Sequence, residues 1–157
     1  MTLSGHRYFA RYNRDDGMKI SSNQLLKLMF IIGAIVDGAI AISWFLIASG
    51  LRMPNILNGH VGTGSDYQLA MFVAAMFMAG WTAVLAWGAV KPIDRRGLLL
   101  ITSVGLFLSV IVELMFFRDV LGGAGFLFGV TKRVLLGFMA TAIYFYSFRD
   151  IESQNRT

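Results

Sequence analysis

Four apolar stretches decide what this chain can become: Leu25 to Ala48, Leu69 to Val90, Gly97 to Phe117, and a weaker one ending at Phe148. The first three are about as long as the ~20 apolar residues a helix needs to cross a bilayer. None alternates apolar and polar residues as a strand would. Each therefore reads as a helix that satisfies its own backbone groups in hydrocarbon. Composition agrees, since the 157 residues are 56% hydrophobic and 15% charged, too apolar for a soluble domain of this length. The expected fold is an all-α membrane protein, a four-transmembrane-helix bundle over 25–148. Its spans fall at about 25–49, 68–90, 96–117 and 127–148, with a basic, aromatic tail at 1–24 and a short tail at 149–157.

Charge orients the bundle. The formal net charge is +5, and its distribution matters more than its size. Arg7, Arg11, Arg14, Lys19 and Lys27 precede or open the first span, Lys91, Arg95 and Arg96 lie between the second and third, and Arg149 and Arg156 follow the fourth. The other side carries Arg52 and Arg118, plus Lys132 and Arg133 if they reach the surface. By the positive-inside rule both termini are cytoplasmic, which suits a prokaryotic inner or plasma membrane. The first apolar run is about twice the length of a signal peptide's apolar region and follows a polar lead, so it reads as a retained anchor. No basic soluble face exists to hold a nucleic acid. With no cysteine, disulfides and thiolate metal sites are excluded.

Local signals mark the helix ends. Ser21 with Gln24, and again Ser65 with Gln68, have capping-box spacing. Asp94, after Pro92, is the expected N-cap of the third helix. Two arrangements suit the glycine-rich run Val120 to Gly129. Either the fourth helix starts near Phe126 with Lys132 and Arg133 inside the boundary, or the run is interfacial or re-entrant and the cations lie at the headgroups. The polar loop from Gly50 to Asp66 belongs on the non-cytoplasmic surface. His60 and Asp66 there are too few to define a metal site, and neither metal nor cofactor is called for.

Asp37 is the costly residue. A carboxylate in mid-span loses at least a few kcal/mol, so it must face protein or water and either find a partner or hold a proton. It shares a helical face with Gly33, Ala41 and Trp44; Thr102, Gly105, Ser109 and Glu113 form a second stripe; Arg133, Gly137, Thr141 and Tyr144 form a third; and Ala75, Ala79, Thr82 and Ala86 form a fourth. Small and polar residues let spans approach and hydrogen-bond, so these stripes are expected inside and the large apolar side chains toward lipid. By depth, Glu113 lies level with Lys132 and Arg133 and should pair with one of them. Asp37 lies roughly two turns deeper. The buried indole of Trp81 wants an acceptor such as Asp37. The candidate polar interior is thus Asp37, Trp81, Ser109, Glu113, Lys132, Arg133, Thr141 and Tyr144.

The segment from Ala79 to Thr102, AGWTAVLAWGAVKPIDRRGLLLIT, resembles one that recurs in small uncharacterised four-span membrane proteins of prokaryotes. Their Trp-rich second helix ends in a Lys-Pro-x-acid-Arg-basic turn. The resemblance implies the architecture and no activity. Small multidrug resistance transporters share four short spans and a first-span carboxylate, but this chain lacks their Trp- and Glu-bearing first helix.

Three functions fit these residues. The first is a non-catalytic accessory or scaffolding subunit, or a homo-oligomer, in the lipid bilayer, because no complete catalytic set is present. The second is a proton- or ion-coupled transporter or channel using Asp37. The third is an intramembrane enzyme acting on a lipid-like ligand through Asp37 and Glu113, for which a membrane-open pocket touching both carboxyls is the requirement.

Overall fold

The computed structural model describes residues 21–117 and 124–154. The expectations for the tail with Tyr8, Phe9 and Tyr12, for Arg118 and Val120 to Gly123, and for Arg156 lie outside them. The described residues form four helices in sequence: α1 (Ser22–Ala48), α2 (Ser65–Gly88), α3 (Gly97–Phe116) and α4 (Ala124–Gln154). Each is long and apolar enough to span a membrane.

The helix ends show which local signals prevail. Ser21 caps α1 with the expected box: its hydroxyl accepts from the Gln24 N–H while the Gln24 side chain accepts from Ser21 N–H. The second box does not form. The N-cap of α2 is Gly64, at φ 94°, with no side-chain cap bond, and Ser65 is already helical. A left-handed N-cap suits glycine, and it displaces the Ser65–Gln68 pair by one register position. Asp94 does not cap α3 either; a tight turn through Lys91 to Arg96 leads directly into the helix. That turn is held by cations. Arg95 lies 3.5 Å from the centroid of the Trp87 ring and donates to the Trp87 carbonyl, and Arg96 lies over Phe148 of α4. α4 begins at Ala124, close to the start near Phe126 considered first, and Lys132 and Arg133 lie within the helix.

Packing is uneven around the bundle. α1 packs along α2, α3 packs along α4, and α1 joins the two hairpins through α4. No comparable contact closes α2 against α3. One apolar cluster fills the end that carries the termini, with Leu26, Phe30, Leu85, Leu99 and Ala140 buried. A Cβ on Gly88 would lie 2.6 Å from the Phe30 ring, so this glycine admits the aromatic. Ser22 of α1 donates to Asp150 of α4 at the same end. The second cluster, Ile40, Trp44, Ile47 and Ala75, fills the end that carries the 49–64 loop. Between α3 and α4, the Ser103 and Thr141 hydroxyls are 2.6 Å apart and both reach the Gly137 carbonyl.

The α2 stripe is a correction. Ala75 is fully buried and Thr82 half-buried beside Gly38, but Ala79 and Ala86 are exposed. With α3 held away, nothing requires small residues along that face of α2. The large side chains do not all face lipid, because Leu26, Met29, Phe30, Leu85 and Leu99 build the core.

The 49–64 loop is a folded cap. Asn55 is buried, and its side-chain carbonyl accepts from Trp44 Nε1 at 3.1 Å and from the Leu57 N–H at 3.0 Å. Its backbone bonds His60 O and accepts from Gly59 N–H, which closes a compact turn. Asn55→Ala strands both donors and is expected to cost about 1–3 kcal/mol. Thermal unfolding in a mild detergent, with Trp44 fluorescence as a second readout, checks this.

Candidate functional site

The gap between the hairpins is a cavity of about 630 Å³ that touches all four helices and the loop. Its lining runs from Met29 to Trp44 on α1 and from Leu99 to Glu113 on α3, which at 1.5 Å per residue makes it roughly 20 Å long. Most of the wall is apolar: Ile40, Met78, Leu85, Leu106 and Leu136 contribute from four sides. Leu57 of the loop closes one end.

The side of the cavity that faces lipid lies between α2 and α3. Phe77 on α2 is 77% exposed and Ile101 on α3 is 58% exposed, yet both line it. Gly105 lies on the same wall, and a Cβ there would meet nothing within 4 Å. The cavity is thus open sideways, at the seam where the helices do not pack.

Polar groups cluster toward the loop end. Arg133 is only 3% exposed. Its Nε donates to Gly129 O at 3.2 Å, Nη1 donates to Ser109 Oγ at 3.2 Å, and Nη2 forms an ion pair with Glu113 Oε2. This is the pair that the depth argument expects. The Ser109 hydroxyl in turn donates to Leu106 O. Three guanidinium N–H groups are engaged, which leaves two of the five without a partner among the described residues. Lys132 donates to Ile56 O of the loop at 3.3 Å and lies 5.6 Å from the Phe128 ring centroid. Among the described residues no carboxylate pairs with it.

Asp37 lines the same cavity, half-buried, and no hydrogen bond or ion pair reaches it among the described residues. Trp81 also lines the cavity, but its indole does not bond Asp37. Six of the expected interior residues therefore meet at one cavity: Asp37, Trp81, Ser109, Glu113, Lys132 and Arg133. Thr141 belongs instead to the α3–α4 seam with Ser103. Tyr144 is off the cavity, edge-on to Phe145. On α4 the lining is Lys132, Arg133, Leu136 and Ala140, so only Arg133 of the expected Arg133–Tyr144 stripe faces it. Ser103 and Asn55 escaped the sequence reading. Ser103 sits one place from the Thr102 stripe, and a loop asparagine carries no periodic signal.

No family model, curated protein or solved structure matches this chain. Function must therefore be argued from the site. The chain is all-α, with four helices that suit a membrane and a cavity that holds two carboxyls and two cations.

Proposed function

We propose that this small integral membrane protein binds a lipid-like amphipath, taken sideways from the bilayer between α2 and α3. The observation that carries the reading is the cavity's form: long, apolar along most of its length, polar at the loop end and open at the α2–α3 seam. Its volume lies in the range of small-molecule sites. An accessory subunit with a purely structural polar interior calls for a filled centre, and the open cavity weighs against it. An acid–base enzyme needs two available carboxyls. Glu113 is already committed to Arg133, so the arrangement favours binding over catalysis. A second reading, proton- or ion-coupled transport, is favoured by one observation: Asp37 faces the cavity without a partner.

The charge bias supports cytoplasmic termini, which places the polar end of the cavity toward the outer leaflet of a prokaryotic plasma membrane. Resemblance of the Ala79–Thr102 segment to small four-span prokaryotic proteins agrees with that setting.

The test is native mass spectrometry of protein extracted in a mild nonionic detergent. Wild type is expected to retain an amphipath at about one per chain. Gly105→Leu, which projects a side chain into open cavity space, is expected to lose it. Gly80→Leu, at a position outside the cavity where a Cβ also meets nothing, is expected to keep it. Equal retention by both variants, or no bound amphipath in wild type, sinks the reading.

A further inference from the structure

We infer that the amphipath carries an acidic headgroup, a carboxylate or a phosphate monoester, held at the loop end of the cavity by Lys132 and the free donors of Arg133. The inference rests on the cavity reading and adds the chemistry of its polar end.

Charge balance is the first support. Lys132 and Arg133 bring two positive charges to the loop end, and Glu113 is the one carboxylate bonded to them. The sum there is one positive charge with no carboxylate of the described residues to meet it. Asp37 does not close the balance, since it pairs with neither cation. The Lys132 side chain is only half-buried, and an anion arriving with the ligand meets its unpaired charge there.

Donor geometry is the second. Arg133 is buried and fixed by three bonds to Gly129, Ser109 and Glu113, so its remaining N–H groups are held in place before any ligand arrives. Lys132 is tied by one bond to a neutral carbonyl, Ile56 O, which an anion outcompetes. The two cations come from adjacent positions on α4, and both line the cavity. The cap supplies Leu57 beside them, so the headgroup is enclosed by loop and helix while the chain extends along Leu106, Leu136 and Leu99.

The third support is direction. The opposite end of the cavity is lined by Met29, Leu85 and Leu99, all apolar. A ligand with one charged end and one hydrocarbon end therefore has a single favourable orientation.

Three probes with the same oleoyl chain separate the possibilities: oleate, oleoyl lysophosphatidate and the uncharged monoolein. Each is titrated into delipidated full-length protein in nonionic detergent, at a pH where the fatty acid is ionised. The expected result is that at least one acid binds roughly tenfold or more tightly than monoolein. Whether oleate or the phosphate leads identifies the source of the anion. Lys132→Met is expected to lower acid affinity at least several-fold toward that of monoolein, the remainder being held by Arg133, and to be rescued by Lys132→Arg. Gly105→Leu is expected to abolish binding of all three. Monoolein binding as tightly as both acids, or an acid preference undiminished by Lys132→Met, overturns the headgroup assignment while the cavity reading stands. Acid binding that survives Gly105→Leu overturns it too, by placing the anion outside the cavity. Binding of none of the three overturns both readings.

Discussion

Glu113→Ala is expected to destabilise the bundle by about 3–5 kcal/mol, because it leaves the Arg133 guanidinium buried without its counter-charge. The lower end is the better expectation, since the Glu113 side chain keeps 17% of its surface exposed. Glu113→Gln retains an acceptor at the same place and should cost clearly less. The decisive member of the series is the double variant Glu113→Leu with Arg133→Leu. Replacing a buried pair by apolar residues is often neutral or stabilising, so the double variant should recover most of what the single variant loses. Denaturant unfolding in mixed micelles measures all three. A double variant as unstable as Glu113→Ala would mean that the loss comes from packing around α3 and not from the stranded charge. The series also separates stability from binding: the double variant should fold well and hold the acidic ligand more weakly, through Lys132 without the Arg133 donors.

Physical reasons divide what could be read from the chain from what could not. Span number and position follow from apolar length, which the bilayer constrains directly. The Glu113–Arg133 pair follows from antiparallel depth, since α3 and α4 are joined by a short connection and their rise per residue is the same. The Ser21 box is local, and its two partners lie within one turn. The cavity is different in kind. A stripe of small residues says that a face can accept a neighbour, and α2 carries such a stripe at Ala75, Ala79, Thr82 and Ala86. Whether a neighbour arrives depends on the competing contacts of α3, which packs on α4 through Ser103, Gly137 and Thr141. Phe107 lies against Gly137 at the same seam. Once α3 is held there, the α2 side is left open. That is a balance between two helix pairings, and no single stripe encodes it.

The loop was unreadable for another reason. Gly50 to Asp66 has no period, and its fold rests on Asn55 and on two backbone-to-backbone approaches. Gly59 lies against Gly125, and Gly129 lies against the Leu57 carbonyl. The glycine-rich sequence before Lys132 leaves both a helix start near Phe126 and an interfacial or re-entrant piece open; from Ala124 onward it is regular helix, whose glycines let the loop rest on it.

Gly129→Ala should therefore release the cap. A Cβ at this position would land inside the Leu57 carbonyl, a backbone group that cannot swing aside as a side-chain tip can. Either the loop lifts or α4 shifts, and overpacking of this kind costs typically about 1–3 kcal/mol or more. Gly125→Ala is milder, since its Cβ would meet Gly59 at 3.1 Å. Gly80→Ala is the control: its Cβ meets nothing, and removing a helix-interior glycine should stabilise by about 0.5–1 kcal/mol. The expected order of stability is Gly80→Ala above wild type, then Gly125→Ala, then Gly129→Ala. Hydrogen exchange at the Trp44 indole gives the sharper readout, because lifting the loop takes the Asn55 side-chain carbonyl away from Trp44 Nε1 while leaving the mid-helix amides of α2 and α3 protected. The Ile56 carbonyl would leave Lys132 and Leu57 would leave the cavity wall, so the same variant should speed ligand release. Unchanged exchange at the Trp44 indole in Gly129→Ala would show that α4 yields instead, with the loop held on α1 by Trp44 and Asn55.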